Sequence, residues 1–112
     1  MDESAFLNYS DELLAWLEGQ VCDMSDELDA QFAGNVLTVE ADGGQEVIVN
    51  RHAPNQELWI AAPSGGHHFR LEGGRWASTH DGAGFFEVLE RSLREICPNA
   101  AALRLDGAPK LP

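Results

Sequence analysis

"AQFAGNVLTVEADGGQEVIVNR", residues 30–51, decides the fold. From Asp29 onward, polar and apolar side chains alternate with a period of two, and Val, Leu, Thr and Ile occur at the density of a half-buried strand. Gly34-Asn35 and Asp42-Gly43-Gly44 interrupt the alternation where a chain must reverse, which marks two hairpin turns. Downstream, "ELWIAAP" (57–63) and "HHFRLEGGRWAS" (67–78) supply three more short strands, connected by Ser64-Gly65-Gly66 and Gly73-Gly74. Both connections need backbone that glycine adopts at low cost. The pattern predicts a six-stranded antiparallel meander. Alternation places Leu37, Val39, Leu58, Ile60, Phe69 and Leu71 on one face and turns Trp59, His68 and Arg70 to the other.

That inner face requires a cover, and the flanks provide it. Phe6, Tyr9, Leu13, Trp16, Leu17 and Val21 recur at helical spacing over residues 3–22, with Asp11, Glu18 and Cys22 on the opposite, solvent-facing side. After Asp81, read as the N-cap, Phe85, Phe86, Leu89, Leu93 and Ile96 form a second apolar stripe that Pro98 ends. The expected architecture is an α/β (α+β) two-layer sandwich, with two helices packed on one face of the sheet. A single domain spanning residues 1–112 is expected, with 98–112 a coil tail that leans Leu103 or Leu105 on the core.

Charge is distributed unevenly. Residues 1–50 hold twelve acids and no Lys or Arg, while residues 51–112 hold seven of each, so the net charge of −12 belongs to the first half. Such a field repels nucleic acid and anionic lipid and attracts cations or basic protein surfaces. No apolar run is long enough to span a bilayer, and the acidic N-terminus is unlike a signal peptide, so the expected location is cytoplasmic. Cys22 and Cys97 are then expected as reduced, incidental thiols.

The acids concentrate around "QVCDMSDELDAQF" (20–32), where helix gives way to strand. Carboxylate oxygens suit hard ions, so Fe²⁺ and Fe³⁺ fit such a surface, with Mn²⁺, Ca²⁺ and Mg²⁺ as rivals. Exposed carboxylates leave water on the metal and predict weak, exchangeable binding. The same acids also serve as a solvated face or steer the protein to a basic partner. The histidines form no ligand set by spacing. His67 and His68 point to opposite sheet faces and His52 and His80 fall in connections, which leaves His68 as a secondary outer-face metal contact. No nucleophile–base pair, phosphate-cradling loop or paired-histidine motif is present, so no enzyme is expected.

Taken together, Asn50-Arg51, Pro54, Leu58-Trp59-Ile60, Ser64-Gly65-Gly66, His68-Phe69, Gly73, Trp76 and the Phe-rich second helix resemble the frataxin family, in particular its bacterial, CyaY-type members, over roughly residues 6–95. The resemblance implies iron binding and regulation of iron–sulfur cluster assembly through the cysteine desulfurase and its scaffold protein. It implies a metal-binding ridge at Glu18, Asp23, Asp26, Glu27 and Asp29, with Asp11 a secondary member. Gly19, Cys22 and Gln31 stand where the family commonly carries acids, so the ridge is thinner. It further implies a partner surface around Trp59, Asn50 and Arg51, where Glu57 replaces an expected Gln and adds negative charge. The expected protein is mainly monomeric, with iron-dependent oligomers. The alternatives are an iron store or ferroxidase-like oligomer, and a metal-independent acidic docking protein.

Overall fold

The computed structural model describes residues 1–100 and 107–112. Helix α1 runs Glu3–Met24, followed by β1 Leu28–Ala33, β2 Val36–Ala41, β3 Glu46–His52, a short 3-10 turn Ala53–Asn55, β4 Glu57–Ala62, β5 Gly65–Glu72, β6 Arg75–Ser78 and α2 Phe85–Ile96. The strands form one antiparallel sheet in sequence order. This is the two-layer sandwich that the alternation predicts.

Local chemistry fixes the element ends. The Asp2 carboxylate accepts the Ala5 N–H at 2.7 Å and caps α1. Between β1 and β2 the chain reverses in two residues, Gly34 and Asn35, with Gly34 at φ 63 and Asn35 outside the left-handed region. This sign pattern belongs to a II′ hairpin, whose first central position favours glycine. Helix α2 departs from the expected start. Its N-cap is Gly84, and Asp81 instead accepts the Ala83 N–H at 3.0 Å within the connection. Gly84 pairs with Ala77 before entering the helix, and a Cβ there would lie 3.1 Å from Glu87 Oε1. After Ser78 the chain turns and pairs back onto β6 at Gly84, which moves the helix N-cap three residues beyond Asp81.

One core joins the layers. Phe6, Leu13, Leu14, Leu17 and Val21 from α1 and Phe85, Val88, Leu89 and Leu93 from α2 bury against Leu37, Val39, Val47, Val49, Leu58, Ile60 and Phe69. Each such side chain contributes roughly 1.5–3 kcal/mol of hydrophobic transfer energy. Trp76 stacks on Tyr9 and donates its indole N–H to the phenol oxygen at 3.3 Å. Burial pushes the Tyr9 phenol up, and that hydrogen bond offsets only part of the shift. The expected lean of Leu103 or Leu105 falls outside the described residues; in the described part of the tail, Leu111 packs against the core.

Candidate functional site

Two surfaces carry the predicted residues, and each departs from its expected form. The first follows the end of α1 into β1. Asp23, Asp26 and Asp29 are exposed there. Glu18 is not a free solvent-facing carboxylate, because β1 runs along that flank of the helix and Glu18 Oε2 accepts the Phe32 N–H at 2.6 Å. It thereby covers a hydrogen-bonding group on an edge strand. Glu27 approaches the buried Cys97, whose thiol donates to Oε2 at 3.6 Å. Asp11 is paired with Arg51. Cys22 and Cys97 are free thiols.

Strand register adds acids that lie far from this stretch in sequence. Asp29 faces Glu40 across β1–β2, and Glu40 faces Glu46 across β2–β3, so three exposed carboxylates form a row on the outer face of the sheet. Directly opposed side chains sit about 5 Å apart, and like charges so placed repel. Glu40 and Glu46 were not among the predicted site residues, although the signal was available. A two-residue turn at Gly34-Asn35 sets Ala33 against Val36 and, four residues back along each strand, Asp29 against Glu40. Among the described residues, no three His, Cys, Asp or Glu side chains converge in the manner of a metal cage.

The second surface is the outer sheet face around Trp59. Asn50, Trp59 and His68 lie side by side on β3, β4 and β5. The indole is half-buried and both of its faces are occupied: His52 stacks at 4.3 Å between ring centroids and His68 at 4.2 Å. His52 ends β3 rather than lying in a connection, and its Nδ1 is buried without a hydrogen-bond partner. The sandwich holds the ring in one pose and presents its edge.

Glu57 supports that pose from below. It is 4% exposed, accepts the Trp59 indole N–H at 2.8 Å and the Arg70 Nε–H at 2.6 Å, and lies 3.9 Å from His68 Nδ1. Burial pushes its carboxyl up, but the Trp59 and Arg70 hydrogen bonds and the positive field of Arg70 and His68 outweigh this and hold it below the ordinary range. Glu57 therefore adds little free negative charge to the surface, contrary to expectation. Arg51 is also misplaced in the sequence reading. It pairs opposite the core residue Leu58, so its side chain passes to the helix layer. There Nη1 reaches Leu7 O at 3.1 Å and Ser10 Oγ at 3.2 Å, and Nε reaches Asn35 Oδ1 at 2.9 Å. It is a strut between layers, on the face opposite Trp59.

Comparison with known proteins places this arrangement. The sequence model of the frataxin-like domain matches residues 1–99. The iron–sulfur cluster assembly protein CyaY of Neisseria meningitidis serogroup B is 50% identical over 93 residues, covering 83% of this chain and 87% of the relative. That of Chromobacterium violaceum is 46% identical over 94 residues, covering 84% and 90%. Among solved structures, frataxin from Psychromonas ingrahamii superposes with a TM-score of 0.80 at 25% identity, covering 90% of this chain and 96% of that one. A trimeric frataxin from the yeast Saccharomyces cerevisiae, complexed with ferrous iron, superposes with a TM-score of 0.65 at 28% identity, covering 84% and 86%.

Proposed function

The chain belongs to the frataxin-like family, and on that premise we propose that it is an iron-responsive regulator of iron–sulfur cluster assembly, acting in the cytoplasm. It docks on the cysteine desulfurase and its scaffold protein through the Trp59 face and the acidic ridge. Iron, ferrous or ferric, is its cargo rather than a resident cofactor. The observation that carries this reading is the run of exposed carboxylates Asp23, Asp26 and Asp29 from the end of α1 into β1, in a half-chain without Lys or Arg. Carboxylates spread along a surface leave most of the metal's coordination to water, which suits sensing and transfer better than retention. Glu18 and Glu27 enter the set by exchanging their contacts to the Phe32 N–H and the Cys97 thiol for metal.

The test is an anaerobic Fe²⁺ titration of isotope-labelled protein followed by amide NMR, repeated with Ca²⁺ and Mn²⁺. Residues 18–31 shift or broaden first if the ridge takes the metal. Shifts no larger than those from NaCl leave a metal-independent docking protein. The second reading, an iron-loading oligomer, is motivated by the trimeric neighbour complexed with ferrous iron. Light scattering under air separates the two readings, because a store enlarges as it loads while a regulator stays one per partner.

A further inference from the structure

The outer face of the sheet is ordered in rows. One row is Val36, Asn50, Trp59 and His68; the next is Thr38, Ile48, Ala61 and Gly66; the third is Asp29, Glu40 and Glu46. In the middle row Ala61 and Gly66 stand directly opposite each other, and neither fills the space above the sheet. A hollow of about 470 Å³ results, bounded by Ile48 and Val36 on one side and by Trp59 and His68 on the other. Neither helix covers it, since both pack on the opposite face. The acid row lies one row further along the strands, roughly 7 Å at two residues of about 3.4 Å each, and is offset sideways toward β2 and β3 at roughly 4.8 Å per strand, which puts Glu40 and Glu46 about 10 Å from Ala61.

We propose that this hollow receives one aliphatic side chain from a partner segment that places the charged group of a Lys or Arg roughly 10 Å away, over Glu40 and Glu46. The partner's chemistry follows from the surface. An apolar depression gains by excluding water from an aliphatic group. The three neighbouring acids have no ion-pair partner among the described residues and repel one another, so a cation placed between them gains twice. The fixed indole wall sets the register of the inserted side chain. The inference rests on the reading of the Trp59 face as a docking surface and specifies what docks there.

An N-acetylated, C-amidated Lys-Ser-Leu-Ser-Lys peptide serves as probe, because alternate residues of an extended segment reproduce the row spacing and the long Lys side chain spans the sideways offset to β2 and β3. Titrated into the labelled full chain, it shifts the amides of Ile48, Ala61 and Gly66 together with Glu40 and Glu46. Replacing its Leu by Ser, or both Lys by Glu, weakens binding about five-fold or more. Absence of shifts, or indifference to the Leu, overturns the proposal. A second arm uses the purified scaffold and desulfurase. Ala61→Leu fills the hollow from an exposed position and lowers affinity about ten-fold or more. Gly66→Leu does the same, and its Cβ meets only the Ile60 carbonyl oxygen, at 3.9 Å. If Trp59→Ala weakens binding while both filled variants bind normally, the hollow proposal fails and the docking reading stands. If the unmodified chain binds neither partner, the docking reading fails and the peptide alone decides the hollow.

Discussion

At the scale of the single residue, Glu57 shows how context reverses a reading. An acid in a strand beside an outward Trp reads as surface charge. Arg70 follows on the next strand and its guanidinium folds over the carboxylate, so the pair leaves little net charge at the contact. Glu57 instead acts as the acceptor that orients Trp59. Bonds from donors to a buried carboxylate are worth more than bonds to a neutral amide, so Glu57→Gln destabilises the fold by about 1 kcal/mol at pH 7. Its pH dependence has a definite sign. The folded carboxyl titrates below its ordinary value of 4.5, so ionisation favours the folded state. The contribution is complete above pH 4.5 and is lost as pH falls through the lower folded value. Thermal melts of the two proteins therefore differ most near neutrality and converge in acid.

At the scale of elements, strand parity was legible because alternation spans each strand, and the hairpin registers were legible where glycine turns fix the loop length. The end of β3 was not. His52 looks like loop from its neighbours Ala53 and Pro54, yet it pairs with Glu57 across the 3-10 turn and stacks on Trp59. Arg51 was misread for a related reason: adjacency to Asn50 in sequence puts it on the opposite face in a strand. Its guanidinium ties β3 to α1 and to the β1–β2 turn. Arg51→Ala should therefore lower stability by about 2 kcal/mol, a figure that allows for the solvent exposure of Asp11, and leave partner affinity unchanged. Trp59→Ala keeps the fold but also melts lower, because buried Glu57 loses a donor and His52 and His68 lose their stacking partner; its distinguishing signature is an affinity loss of about 2 kcal/mol. Measuring melting and binding on both variants separates strut from anchor. Glu40→Lys completes the set. It replaces two opposed like charges by attractive pairs and raises stability by about 0.5–1 kcal/mol, while weakening docking of a basic segment.

At the scale of the whole molecule, the two-layer arrangement was legible because two amphipathic helices need one face and a meander offers one. The site was legible as a charge asymmetry more than as a geometry: the sequence places the acids in the first half, and only register brings Glu40 and Glu46 beside Asp29. The consequence is energetic. A net charge of −12 on 112 residues concentrates repulsion in the folded state, and the unfolded chain relieves it by expansion. Any ion that associates with the folded ridge more strongly than with the separated acids stabilises by mass action. Monovalent salt acts by screening alone, whereas divalent cations also bind carboxylates directly. Millimolar Ca²⁺ or Mn²⁺ should therefore raise the melting temperature more than NaCl at equal ionic strength. The excess should shrink in a variant with Asp23, Asp26 and Asp29 changed to Asn, which is itself more stable in the absence of metal because its repulsion is gone. Equal shifts from both salts would assign the acids to screening and docking and remove the ridge as a metal surface.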